Sequence, residues 1–262
     1  MRDRKGRRVR TIAIALVAGA ALGLAPARAA SPLFKVRSIA AGLGYEHVSR
    51  TVAWKGDGAP SKILADLCTV RADLGLAGGA VFSLSAGIVL TDYRSLAFND
   101  LPVALELDAR ALAGFSLGAE AFVPIRRWSD FEISGTGRVV YSFGMSKTWT
   151  LEDFAVPGQA RGQADWFEAA AGPRLSYFFF GRVVPYIEVW GRWLQAGFTM
   201  DEALEDLTGR QTRRVPGRFS FSAALGADAA LTGRISVRAK AGFRPYSGGV
   251  DGLFSAGVLY KF

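Results

Sequence analysis

His47 is the only histidine in the chain, and it lies two residues before Ser49. On a β-strand, residues at this spacing point to the same side, so an imidazole and a hydroxyl would share one face. An imidazole that accepts the serine proton turns the hydroxyl into a nucleophile for hydrolysis. A motif this short is common by chance. We therefore assign no catalytic residue, and an interfacial histidine beside a polar loop is the competing interpretation.

The composition excludes other kinds of site. Cys68 is the only cysteine, so no intrachain disulfide can form. With one histidine and one cysteine, the chain also cannot supply a metal site built from several such ligands. We therefore expect no metal site and no cofactor.

The last residues of the chain alternate in polarity. One face carries only apolar residues, and serine, glycine, leucine and lysine take the other; the apolar face is formed by Phe254, Ala256, Val258, Tyr260 and Phe262. This period of two predicts a β-strand with one apolar face. The segment resembles the C-terminal strand of bacterial outer-membrane β-barrels. That resemblance implies that the assembly machinery of the outer membrane recognises the strand ending at Phe262.

The first residues have the pattern of an export signal. Basic residues precede an apolar run over residues 11–25, and small residues follow up to Ala29, so we expect a cleaved signal peptide over residues 1–29. This segment carries a net charge of +6, which leaves +3 of the total of +9 for residues 30–262. The high overall charge therefore does not indicate a nucleic-acid partner.

Period-two segments continue through residues 30–262, which we expect to form one domain. We count ten, with outward apolar faces within residues 39–45, 70–76, 82–90, 103–123, 133–143, 167–177, 187–193, 219–231, 235–243 and 254–262. They predict an all-β fold, a transmembrane antiparallel up-and-down β-barrel, in which strands satisfy every backbone hydrogen bond. Ten strands is the preferred count, with eight or twelve as alternatives, and an exported β-sandwich is the alternative fold.

The connections sort into two groups. Short turns are predicted at 77–80, 124–130, 180–182 and 232–233, and mostly longer loops at 49–62, 92–101, 145–164, 198–217 and 245–252. Barrels of this type have short periplasmic turns and long external loops, which places both termini in the periplasm. Thr199 to Glu202 match a helix capping box, so a short surface helix ending at Gly209 is predicted. Charges in this loop are candidates for divalent ions or lipopolysaccharide phosphates, although a solvated loop is the simpler interpretation.

Charged residues of both signs lie between the apolar positions. They are Arg71, Asp73, Glu106, Asp108, Arg110, Glu120, Glu132, Arg138, Glu168, Arg174, Glu188, Arg192, Asp228, Arg238 and Lys240. A ten-stranded barrel has little free interior, so we expect these charges to pair and to narrow or close the lumen. A narrow porin for small solutes is the alternative.

Two resemblances bear on function. In general architecture the chain resembles small outer-membrane barrels of the outer-membrane protein A and porin type, which implies a structural or surface-interaction role among outer-membrane lipids and lipopolysaccharide. His47 and Ser49 resemble the His-x-Ser of outer-membrane lipid hydrolases, the lipid A 3-O-deacylases and phospholipases A. In those enzymes a later acidic or amide residue orients the histidine; the matching position here is Ser61, and Asp57 is the nearest carboxylate. A lipid hydrolase is therefore the second alternative. The oligomeric state is left open.

Overall fold

The computed structural model describes residues 36–54, 60–102, 104–151, 158–246 and 248–262. The predicted signal peptide, Asp57 and the side chains of Glu106, Asp108 and Arg110 lie outside the described part. Among the described residues, no helix has the length and hydropathy that a membrane crossing requires.

The described chain is almost entirely β-strand, with one 3-10 turn at Ala77–Gly79. Eleven strand segments follow in chain order: β1 Val36–Ala53, β2 Pro60–Leu76, β3 Val81–Phe98, β4 Leu105–Trp128, β5 Phe131–Gly144, β6 Lys147–Leu151, β7 Gly158–Tyr177, β8 Val183–Leu204, β9 Leu207–Ala230, β10 Ile235–Tyr246 and β11 Gly249–Lys261.

The strands close into a ring. Sequence neighbours pair antiparallel, the first strand β1 pairs with the last strand β11, and β5 pairs with β7 across the break occupied by β6. Every described strand therefore has a partner on both sides except β6, which pairs only with β7. The prediction of an all-β antiparallel barrel is confirmed, including a single strand β4 through Gly114.

The predicted count of ten strands is not confirmed. The described residues form eleven strand segments, because β5 and β6 are separate. Both lie along β7, with Gly144 opposite the position next to Asp165, and Lys147 opposite Gly162. Met145 and Ser146 therefore face the single residue Gln163. Two residues opposite one is the geometry of a β-bulge.

The outward face of the barrel is apolar near the short turns, as the alternation predicts. Large exposed apolar side chains include Ile39, Leu43, Val70, Leu84, Ile88, Phe115, Leu117, Ile187, Val189, Phe219, Phe221, Leu225, Phe243, Phe254 and Val258. Exposing so many apolar groups is consistent with lipid as the solvent of this face.

At the far ends of the strands the alternation inverts. Large apolar residues there point into the barrel and several charged residues, such as Arg161, Asp201 and Arg210, point outward. Segments that we expected to be loops are therefore paired strands. The predicted helix after Thr199 is wrong. Residues 199–204 pair with residues 207–212 in a hairpin, with Glu205 at its turn in the left-handed region at φ 49°. Burial of Phe198 and Met200 in the barrel interior outweighs the local capping pattern.

Candidate functional site

An apolar cluster fills the lumen at the end of the barrel away from the short turns. Its buried side chains come from strands around the ring; they are Val52, Trp54, Ile63, Tyr93, Leu96, Phe98, Leu101, Leu112, Ala160, Ala164, Leu194, Ala196, Phe198, Met200 and Val215. The Phe198 ring lies at its centre, 5.1 Å from the ring of Tyr93 and 5.5 Å from that of Phe98. We call this cluster the apolar plug.

Buried ion pairs occupy the lumen beside the apolar plug. Glu168 accepts hydrogen bonds from three guanidinium groups, those of Arg192, Arg50 and Arg244. All four side chains are at most 10% exposed. Because burying a charge is costly unless it is paired, this cluster depends on its single carboxylate being in place.

Further ion pairs continue the network toward the short turns. Arg138 forms a two-pronged pair with Glu46, its Nη1 lying 2.8 Å from Oε1. The pair of Arg71 with Asp73 lies within β2. The other pairs join different strands: Arg71 with Glu120, Arg174 with Asp228 and Glu188, Arg238 with Asp228, and Lys240 with Glu188. Lumen charges of opposite sign therefore neutralise one another.

The space left inside is small. Beside Arg71, Glu120, Arg138 and Lys240 a cavity of about 100 Å³ remains, and a second of about 30 Å³ lies between Arg50 and Trp166. At about 30 Å³ per water molecule, the larger cavity holds on the order of three waters.

Sequence reasoning placed most of these charges correctly but missed part of the network. Glu46 lies on the inward face of β1, which the alternation of Leu43 and Tyr45 already indicated, whereas Arg50 lies on β1 in the stretch 49–62 that was expected to be a loop. Asp251 was missed because residues 245–252 were expected to be a loop, and Arg244 directly follows the predicted strand face of residues 235–243; both are buried on paired strands.

The structure gives His47 a partner that the sequence did not suggest. Asp66 lies directly opposite His47 on β2, and its Oδ1 is 2.8 Å from the histidine Nδ1 and 2.6 Å from the Tyr45 hydroxyl. A carboxylate accepts, so Nδ1 is the donor in this contact and Nε2 points away from Asp66. Ser61 does not provide the contact, since its hydroxyl donates to the carbonyl of Ser95 at 2.7 Å, and Asp57 lies outside the described residues. The aspartate that lies opposite His47 on the neighbouring strand has no fixed distance from it in the sequence. The His-x-Ser motif alone therefore could not identify it.

Ser49 is engaged elsewhere. Its hydroxyl donates to Asp251 at 3.4 Å, and the same carboxylate accepts from the backbone N–H of Thr51 at 2.6 Å. Ser49 is also only 7% exposed. The two residues of the His-x-Ser motif thus have different carboxylate partners, and the geometry orients the imidazole without directing it at the serine.

A groove of about 500 Å³ lies on the outward face where β5 and β6 meet β7, β8 and β9. Its lining includes Ser146, Arg161, Asp165, Asp201 and Arg210. Arg161 donates to the Ser146 hydroxyl at 2.8 Å, and the Arg210 Nε lies 3.3 Å from the Asp201 Oδ1. We call it the outer groove.

The charged residues that were expected to share one external loop lie on β8 and β9, and some of them face outward while others are buried inside the barrel. Asp201 and Arg210 lie opposite each other and border the outer groove. Glu202 and Arg213 are buried, and the Arg213 Nε donates to the carbonyl of Ala97 at 2.9 Å.

The fold is that of known bacterial outer-membrane β-barrels. The outer membrane protease OmpT from Escherichia coli superposes with a TM-score of 0.52 at 12% identity, over 90% of this chain and 99% of that one. The translocator domain of the autotransporter NalP from Neisseria meningitidis gives 0.49 at 8% identity, over 97% and 96% of the two chains. The transport unit of the autotransporter AIDA-I from Escherichia coli gives 0.46 at 13% identity, over 94% and 97%.

No protein-family model matches the sequence, and no curated protein matches it. At the identity found, the likeness to OmpT shows the architecture alone.

Proposed function

We propose that the protein is an integral outer-membrane barrel with an occluded lumen, which acts structurally or through its outer surface and does not conduct solutes. The observation that carries this proposal is the apolar plug. A path along the lumen would have to pass the contacting rings of Tyr93, Phe98 and Phe198 and then the buried arginines around Glu168. Within the described part of the chain, the two cavities beside the buried arginines measure only about 100 and 30 Å³.

We propose ten crossings, with β5 and β6 counted as one strand. The bulge at Met145 and Ser146 supports this count, because it interrupts the segment without adding a neighbour to the ring. An even number places both ends of the barrel chain at the short turns, and in this class of barrel short turns face the periplasm.

Strand length supports a barrel that projects outward from the membrane. The 24 residues of β9 span about 80 Å at about 3.3 Å per residue. A tilt of about 40° leaves about 60 Å along the barrel axis, about twice the hydrocarbon thickness of about 30 Å. The inverted half, with its polar outward face, is therefore the half outside the bilayer.

The conductance of the purified full-length chain in planar bilayers tests the occlusion. We expect no stable conductance steps, with a sixteen-stranded porin as the positive control for the bilayer. Stable single-channel steps from this protein would refute occlusion and favour the narrow porin.

Cysteine labelling tests the orientation in intact cells. In a Cys68→Ser background, Leu207→Cys lies at the start of β9, directly after the β8–β9 turn, and Arg182→Cys lies in the turn between β7 and β8. We expect a membrane-impermeant maleimide to label the first variant and to spare the second until the cells are lysed. The reverse pattern would invert the proposed topology.

A further inference from the structure

The outer groove lies at the boundary between the apolar and polar parts of the outward face. On β7 the outward residues change from Arg161 and Asp165 to Phe167, and on β8 from Asp201 to Trp193. The aromatic side of this boundary is continuous, since the rings of Phe167 and Trp193 lie 5.7 Å apart. In a barrel, aromatic residues at such a boundary mark the level of the lipid headgroups.

The β-bulge shapes the groove. Gly144, which precedes the bulge, and the bulge residue Ser146 both line the groove. The Gln163 amide donates to the Gly144 carbonyl at 3.1 Å, fixing the interrupted strand against β7. Bulges at barrel rims redirect side chains. Here the displaced Ser146 hydroxyl accepts the Arg161 hydrogen bond and holds that guanidinium beside the groove.

The arginines of the groove suit a phosphorylated ligand. The lining holds two arginines and two aspartates; Arg161 lies opposite Asp201 on β8, and its guanidinium donates to the neutral hydroxyl of Ser146. The Arg210 side chain is 72% exposed and meets Asp201 at 3.3 Å in a solvated pair, which contributes little and is easily exchanged. Planar guanidinium groups bind phosphate with two parallel hydrogen bonds.

We infer that the outer groove binds the phosphorylated headgroup of an outer-leaflet glycolipid, with its acyl chains lying against the aromatic band below. Arg161 and Arg210 contact the phosphates. Tyr141 and Phe143, whose ring centroids are 4.3 Å apart, form the apolar edge on which the first part of the acyl chains packs. This inference rests on the proposed orientation and gives the outer surface a lipid partner.

Native mass spectrometry of the full-length protein in detergent micelles tests the inference. The probes are diphosphoryl lipid A, enzymatically dephosphorylated lipid A and the acyl-free glucosamine disaccharide diphosphate, all with EDTA to remove bridging cations. We expect the diphosphoryl lipid to bind at least about tenfold more tightly than either other probe, the effect of about one charge-assisted hydrogen bond.

The variants locate the site. Arg161→Gln/Arg210→Gln should abolish the preference for the diphosphoryl lipid. Arg94→Gln removes an exposed arginine of β3, on a strand outside the groove, and should preserve that preference. Heat-modifiable migration in gels shows that each variant is folded.

Three results would overturn the inference: no preference in the wild type, a preference that survives in the double variant, or an equal loss in Arg94→Gln. Equal binding of the acyl-free probe would overturn the assignment to a lipid. Conductance is measured separately, so a barrel that conducts while keeping the lipid preference would refute only the proposed occlusion.

Discussion

Replacing Glu168 with glutamine should strongly destabilise the barrel. The carboxylate accepts from Arg192, Arg50 at 3.2 Å and Arg244 at 3.4 Å. Glutamine keeps the shape but removes the negative charge, which leaves three buried guanidinium groups around a neutral amide. Breaking a buried pair in this way costs about 3 to 5 kcal/mol.

Two serine hydroxyls next to the arginines reduce the loss of stability but do not abolish it. The Arg192 Nε still donates to the Ser222 hydroxyl at 2.7 Å, and Arg50 to the Ser220 hydroxyl at 3.3 Å. These hydrogen bonds satisfy donors but supply no charge, while the buried Asp251 carboxylate still attracts the guanidinium groups of Arg50 and Arg244. We therefore expect the destabilisation to stay within this range.

Equilibrium unfolding in urea, with the protein in phospholipid vesicles and tryptophan fluorescence as the signal, measures the change. Asp201→Asn is the matched control, because it neutralises the carboxylate of an exposed pair with Arg210 and should cost less than about 1 kcal/mol. Adding Arg192→Gln to Glu168→Gln should cost less than the two single changes summed, since the second removes a charge left unpaired by the first. If Glu168→Gln and Asp201→Asn cost the same, the reasoning about the buried network is refuted.

Two other substitutions test the apolar plug and the His-x-Ser motif. The Tyr93 hydroxyl is buried without a hydrogen-bond partner among the described residues, so Tyr93→Phe should stabilise the barrel by about 1 kcal/mol in the same unfolding assay; a loss of stability would reveal a partner for that hydroxyl. Because the Ser49 hydroxyl donates to Asp251 and not to His47, Ser49→Ala should leave the mass spectrum of the envelope lipids identical to that of wild-type cells. A lipid species that accumulates in the Ser49→Ala and His47→Ala strains alike would instead support the lipid hydrolase.

The sequence predicted the membrane-facing half of the barrel well, because outward apolar residues and inward charged residues alternate regularly there. Lipid on one side and paired charges on the other produce an alternation of constant phase, which identified outward residues such as Leu43 and Phe221 and inward residues such as Arg138 and Glu188. The other half obeys the same period with the opposite phase. Phe98 and Met200 are buried inside, while Arg161 and Asp201 face outward. Nothing in a single sequence marks the residue at which the phase changes, so these strands were expected to be loops.

The candidate sites depended on contacts that the sequence does not encode locally. Asp66 meets His47 because the register of β1 and β2 places them opposite each other, and that register is fixed by the whole strand pair. The Ser49 hydroxyl donates to Asp251, which is distant in sequence and adjacent only after the ring closes. The outer groove likewise follows from one extra residue in the strand containing Met145.

Because the alternation inverts along a strand, one part of the strand faces lipid and the other part faces water. Near the short turns, stability comes from lipid outside and ion pairs inside; beyond the aromatic boundary, the barrel is built like a water-soluble protein, with a dry centre and a hydrated exterior. A detergent that replaces the bilayer has to cover only the first part. Micelle thickness should therefore be matched to the aromatic band around Phe167 and Trp193, and not to the length of the strands.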